Sequence, residues 1–546
     1  MDATQPNPEA VSRCTLCPAG CELDRVSAGP NAWQIEYPHA VSAGVCPRGS
    51  CLAELLTHRR RILAPARRAG DRLQGIVPAE ALRDLLAAGG DSVTILLDGN
   101  VPCEQMLAAA HWCRSWRQAK LCFVLEPADE QLLLGTEASG ADYLSAADLA
   151  ECDGFCIIGD AFAANPACSR GIFERRKAES RTPIVVIDPG AGTCAKFATH
   201  RVNAGVGRER AALWQVAAAA GVSAEMPGPP KDADIPSAQA AGNALAHCRR
   251  LGVLISAEYA RAAPWRQIGY LAGQFARARG GGVAPQTAGA NALAAVRLGA
   301  KMGTVSLAKA LSPEAGVRVA VGADVLGMLG WSGDDVKITA AAAALPNRTT
   351  DAAEFVLPVT MVGELAGTYL LDGARPASVS ALLPGPAGIL SPGDLVAALA
   401  LAGGARAPEA AAMPDLTQRA KLDAPAPAAT CADPPTPVLL LHRQATLAGA
   451  GALTAHASWQ LATQETPDLR VSPADAGAMG LKNLGLVTVR AGGQSVRARV
   501  QFAPELTPGV LVLPEGYPQV RAMIPSRIDT ASDAVIAGPS AVELEA

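Results

Sequence analysis

Cys14-Thr15-Leu16-Cys17-Pro18-Ala19-Gly20-Cys21, followed after 24 residues by Cys46-Pro47-Arg48-Gly49, is the stretch around which this chain of 546 residues is organised. Thiolates hold iron–sulfur clusters, four of them for a [4Fe–4S] cube. Three cysteines within eight residues can wrap three corners of a cube, because a tight loop turns its side chains inward. The fourth must come from a chain that returns. Zinc sites favour paired C-x2-C knuckles or Cys/His pairs. Here the first three cysteines are spaced 3 and 4 apart and the fourth stands alone. That pattern favours a cluster over zinc, a disulfide pair or scattered core cysteines. Cys51 is the nearest rival for the fourth position, but Cys46 has the Pro-Arg-Gly context.

Composition bounds the rest. The length suggests three or four domains. With 49% apolar and 18% charged residues the chain can bury large cores and is not disordered overall. A net charge of −4 and the lack of a long basic run argue against a nucleic-acid partner. Fourteen cysteines, most of them isolated, fit a reducing compartment. Residues 1–10 are polar and carry no secretory or twin-arginine pattern. No uninterrupted apolar stretch reaches the ~18–20 residues of a membrane span. The expectation is a cytoplasmic protein that touches a membrane only through partners.

Short apolar runs recur beyond residue 62: Ser92–Leu97, Leu121–Leu125, Gly154–Ile158, Ile184–Ile187, Gly252–Ile255 and Val317–Val321. Runs of this kind read as strands covered on both faces. Helical patterns, such as residues 104–116 and 208–220, lie between them. Alternating β and α implies parallel, doubly wound sheets, and the strands fall into two groups. Residues 403–436 are Ala- and Pro-rich and read as a surface linker.

With its Cys-x-Arg-Gly ending, the N-terminal quartet resembles the iron–sulfur domain of the molybdopterin oxidoreductase superfamily. That superfamily includes the large iron–sulfur subunit of NADH-quinone oxidoreductase and the large subunits of formate and formylmethanofuran dehydrogenases. Further landmarks are similar. Gly159-Asp160, then Asn165-Pro166, resembles the glycine-to-proline loop after a strand. Asp188-Pro189, then Thr193, Ala195 and Ala198, resembles an Asp-Pro-Arg-Arg-x-x-Thr-Ala element, with Gly190 and Ala191 in place of the arginines. Gly289-Ala290-Asn291 resembles the turn closing an inserted domain, and Glu354–Pro358 with Glu364 and Gly367-Thr368 matches a further landmark. Pro473-Ala474-Asp475-Ala476, Pro508-Gly509-Val510 and Leu513-Pro514 follow the order of the family's C-terminal barrel. The resemblance covers nearly the whole chain. It implies an α/β protein with a small [4Fe–4S] domain over 1–62. An α/β domain over 63–122 and 300–402 would receive an inserted Rossmann-like domain over 123–299. The linker 403–436 would lead to a double-psi-type β-barrel over 437–546 that resembles the molybdopterin-dinucleotide-binding barrel.

The same resemblance distributes roles. Cys14, Cys17, Cys21 and Cys46 would ligate the cube. Arg48 would sit between cluster and pterin, its positive charge raising the cluster potential. Asp188 and Thr193 would help hold a guanosine of the pterin cofactor, a contact weakened by Gly190 and Ala191. A catalytic member also offers one metal ligand on the loop after the second strand, here Glu126-Pro127-Ala128-Asp129-Glu130-Gln131. That loop has no Cys-His or Cys-Arg pair. Cys122 reads as a buried inert thiol, and Asp129 as a cap or turn residue. Among the histidines, His200 is the weak acid–base candidate.

The expected function is therefore that of an electron-transfer subunit carrying one [4Fe–4S] cluster in a larger oxidoreductase. Its partners would be flavin/NADH, hydrogenase or ferredoxin-like modules. Molybdopterin guanine dinucleotide with molybdenum or tungsten is the less favoured cofactor. The rival is a catalytic molybdenum or tungsten bis-pterin enzyme of formate or formylmethanofuran dehydrogenase type, using Asp129 or Cys122. A redox-inert docking subunit is the third class, and the intact quartet argues against it.

Overall fold

The structure is a computed structural model. It describes residues 11–29, 32–38, 46–87, 92–116, 119–188, 192–222, 235–257, 264–313, 316–409, 412–425, 437–442, 453–458, 466–530, 532–538 and 540–545.

The first sheet has seven strands. Their order is Arg72–Gly75, Ala66–Ala69, Phe355–Pro358, Ala340–Ala343, Val317–Val321, Val93–Asp98 and Ala119–Val124. The last five pair in parallel, and the hairpin Ala66–Ala69/Arg72–Gly75 adds antiparallel strands at one edge. Val93, Ile95 and Leu97 point into one core, with Leu121 and Phe123 beside them. Leu96 and Cys122 point into another on the opposite face, as alternation along a doubly covered strand requires. Helices Cys103–Ser115 and Pro392–Ala402 pack on the first of these faces.

The second sheet has six strands in the order His200–Val202, Ile184–Ile187, Gly154–Ile158, Leu251–Ile255, Gly282–Pro285 and Asp142–Tyr143. All of its pairs are parallel. Its strands lie in sequence between two groups of first-sheet strands. Strand Ala119–Val124 runs across the expected boundary between residues 122 and 123, so the two layers part only after the strand ends. The crossover Pro127–Ser139 packs closely on Trp265–Ala278. A Cβ on Gly135 would lie 1.9 Å from Arg266 O, and one on Gly269 would lie 2.4 Å from Leu132 O.

The C-terminal sheet also has seven strands, from Ser540–Ala541 at one edge to Glu543–Glu545 at the other. Both edges come from one short stretch of chain, so the sheet curls into a nearly closed barrel around Leu439, Leu469, Val489, Leu511 and Ile524. The barrel docks on the first sheet where Ser526 N donates to Leu329 O (2.9 Å) and Trp331 Nε1 donates to Ser526 O (2.6 Å).

Part of the Ala/Pro-rich stretch departs from the surface-linker expectation. Leu416 and Ala420 are buried. Arg297 Nη1 donates to Leu416 O (2.6 Å), and Ala420 N donates to Glu137 Oε2 (2.7 Å). Two buried apolar side chains and hydrogen bonds to Arg297 and Glu137 hold residues 415–420 as a strap. Among the described residues, no helix is long and apolar enough to cross a membrane.

Candidate iron–sulfur and cofactor site

The loop from Cys14 to Cys21 closes on itself: Cys14 N donates to Cys21 O (2.8 Å). Gly20 makes the turn at φ +57. The returning chain is the hairpin Asp24–Gly29/Ala32–Glu36, after which Cys46 stands at the N-terminus of helix Pro47–Ser50. Tyr37 Oη donates to Cys46 O (2.8 Å) and holds that end. A Cβ placed on Gly49 would lie 3.4 Å from Cys14 Sγ, so the helix start abuts the loop.

The four thiols lie within electrostatic reach of one another. Burial pushes the Cys14 thiol up, and the neighbouring Cys17, Cys46 and Cys21 push it further. Burial, then Cys17 and Cys46, push Cys21 up to about 12. Cys17 is also raised by burial, against the opposing charge of Arg48. Buried or half-buried thiols gathered this closely make a poor site for bare thiolates, which would repel. They suit a group whose iron binds each sulfur. Among the described residues, no set of three or more His, Cys, Asp and Glu side chains is placed to hold a single metal ion. A cube is wider than an ion, so its ligands stand further apart.

Arg48 is buried, and its Nη2 donates to Ala164 O (2.6 Å), tying the quartet to the second sheet. Its Nε has no hydrogen-bond partner among the described residues. A buried cation with an unspent N–H beside Cys17 and Cys21 fits an anionic sulfur cluster. Cys51 turns elsewhere: its thiol donates to Pro47 O (3.3 Å), and its side chain packs with Leu52 and Leu55.

The remaining candidates lie apart. Asp188 Oδ1 accepts from Gly192 N (3.2 Å) at the end of strand Ile184–Ile187. Thr193 gives both its backbone N–H and its hydroxyl to Asp160, at 2.6 and 2.8 Å. Asp160 also caps helix Ala161–Ala164 and accepts from the Cys194 thiol. Asp160 therefore organises this turn. Its signal in the sequence was an Asp directly after a strand-ending glycine, a common helix cap. Pro189, Gly190 and Ala191 fall outside the described residues. His200 lies on the edge strand of the second sheet and pairs with Thr199 (3.0 Å). Cys122 is buried in a core with Leu96, Val124 and Ala320.

At the end of strand Ala119–Val124, Glu126 forms a two-pronged buried pair with Arg521, both contacts 3.0 Å. Asp129 is buried and accepts from Ala288 N (2.7 Å). Asp129 lies within the first turn of helix Pro127–Ser139 and not at its cap, and the amide it holds belongs to another segment. Neither Glu126 nor Arg521 was singled out in the sequence. A cavity of about 490 Å³ remains open between Cys21, Asn165, Gln286, Thr287, Leu293 and Leu371.

Residues 444–537 match the family described as the Molydopterin dinucleotide binding domain. Among solved structures, acetylene hydratase from Pelobacter acetylenicus superposes with a TM-score of 0.66, covering 97% of this chain and 100% of that one at 12% identity. The C-terminal match is thus to a molybdopterin-dinucleotide-binding domain, and the fold as a whole is shared with acetylene hydratase. No curated protein sequence matches this chain. The match over residues 444–537 supports a molybdopterin cofactor, the less favoured one on sequence grounds.

Proposed function

We propose that this protein is an iron–sulfur electron-transfer subunit of a multi-subunit oxidoreductase. Cys14, Cys17, Cys21 and Cys46 would hold one [4Fe–4S] cluster, which when bound passes single electrons. The observation that carries this reading is the closed Cys14–Cys21 loop set against the helix start at Cys46, beside a buried arginine whose Nε has no hydrogen-bond partner among the described residues. The chain's own residues shape that site. The closed loop orients three sulfurs, Tyr37 steadies the fourth, and Leu16, Leu23 and Leu52 keep water away. Arg48 lends positive charge on the side facing the second sheet. Partner subunits with flavin, hydrogenase or ferredoxin-like modules would supply and take the electrons.

A second reading, a catalytic molybdenum or tungsten bis-pterin enzyme of formate or formylmethanofuran dehydrogenase type, has its own support. The match over residues 444–537 and the shared fold with acetylene hydratase favour a pterin-binding member more directly than they favour electron transfer alone. The committed side chains at Glu126 and Asp129 weigh against it.

Anaerobic purification followed by iron and sulfide analysis and electron paramagnetic resonance of the reduced protein tests the first reading. About four iron per chain and a reduced-cluster signal are expected, both lost in Cys17→Ala. A well-folded, iron-free wild-type protein would sink it.

A further inference from the structure

We propose that the side-chain metal-ligand position of this fold is closed in this chain by the Glu126–Arg521 pair, so that the protein takes up neither molybdenum nor tungsten. The inference deepens the electron-transfer reading, and rests on it only for what the chain does instead.

The side chains of Cys122, Glu126 and Asp129 are already engaged. The Cys122 thiol is turned into the core with Leu96 and Leu307 and leans toward Phe123 O (3.6 Å). Glu126 is bound by both terminal nitrogens of Arg521, and the two side chains are 5% and 0% exposed. Glu515 approaches the same guanidinium at 3.8 Å. Asp129 is spent on Ala288 N, from the loop that follows strand Gly282–Pro285. Glu130 faces Arg266 and Asp533.

Arg521 is delivered there by the docking of the barrel. Helix Pro518–Arg521 ends at it, and its N–H donates to Tyr517 O (3.1 Å). Its carbonyl lies so near Gly330 that a Cβ on that glycine would meet the oxygen at 2.6 Å. Five residues on, Ser526 bonds Leu329 and Trp331. The guanidinium thus comes from a rigid seam between barrel and sheet. A metal cation set against Glu126 would have to break a buried two-pronged pair, strand the guanidinium out of water, and sit beside its charge.

The test uses the full chain, made anaerobically in a host that synthesises the pterin cofactor and is fed molybdate or, separately, tungstate. Elemental analysis is expected to find iron but molybdenum and tungsten far below one per chain. Pterin fluorescence of the denatured, oxidised protein reports the organic part separately, and pterin without metal leaves the closure standing. One molybdenum or tungsten per chain overturns it, whatever the iron content. Iron-free, metal-free protein would instead sink the electron-transfer reading while the closure survives. Thermal unfolding of Glu126→Gln, Arg521→Met and the double variant supplies a second measurement. Each single change should lower Tm, and the double should lose clearly less than the two losses added. Strictly additive losses would mean that the pair is not made, and would overturn the closure as well.

Discussion

Gly20 shows how much of the candidate cluster site depends on one backbone angle. Its φ of +57 lies in the left-handed region, and a Cβ there would come within 2.6 Å of Leu371 Cδ1. Gly20→Ala is therefore expected to cost about 1–3 kcal/mol of stability and to lower iron per chain, measured by chemical denaturation and metal analysis. Glu130 offers a pH test. Burial and the nearby Asp533 raise its carboxyl from 4.5 to about 7, with Arg266 opposing. A raised folded-state value means that its contribution to stability is complete below pH 4.5 and is lost as the pH climbs through about 7. Across that window the Tm of wild type should fall relative to Glu130→Gln, and parallel Tm profiles for the two proteins would refute this. At this scale legibility followed sequence distance. The grouping of Cys14, Cys17 and Cys21 was readable because they share one short loop. The Glu126–Arg521 pair was not, because its partners stand 395 residues apart and neither belongs to a recurring pattern.

Elements were legible where apolar runs were long and β-branched. Gly154–Ile158, Ile184–Ile187 and Val317–Val321 form strands over the residues their patterns marked. Ala340–Ala343 gave no such signal. Four alanines favour a helix by intrinsic preference, yet here they form a fully buried strand, paired in parallel on both sides. Small side chains suit a strand covered on both faces, and tertiary pairing overrides propensity. The strap at residues 415–420 was hidden for a related reason: its composition reads as linker, and only distant partners pin it. Arg297 joins Glu137 with side chains 2% and 0% exposed and also holds Leu416 O. Arg297→Met leaves a buried carboxylate without its partner and should cost about 3–5 kcal/mol. It should also expose residues 415–420 to limited proteolysis. An unchanged cleavage pattern would mean that the strap is held by its apolar residues alone.

Across the whole molecule, the fold stayed legible at an identity of only 12% to acetylene hydratase because landmark residues sit where separate layers meet. Asn291, within the Gly-Ala-Asn turn, bonds to several layers at once. It is fully buried, and its Nδ2 donates to Val101 O (2.7 Å) beyond the end of a first-sheet strand. Its Oδ1 accepts from Leu370 N (3.0 Å) in the strand Gly367–Leu371. Its own N–H donates to Asn100 Oδ1 (3.1 Å), while Asn100 Nδ2 donates to Thr15 O (2.8 Å) inside the cysteine loop. Two asparagines thus connect sheet, hairpin, helix and candidate cluster loop through four hydrogen bonds. Asn291→Ala would strand a buried carbonyl and a buried amide, each worth about 1–3 kcal/mol, so total stability should fall by several kcal/mol. The loss should not be local. If the node couples the layers, iron should leave the reduced protein at lower denaturant concentration in the variant, in step with unfolding followed by far-ultraviolet circular dichroism. If iron retention matches wild type while global unfolding shifts, the cysteine loop is held by its own closure and the hairpin beside it. The coupling assigned to Asn100 and Asn291 would then be wrong.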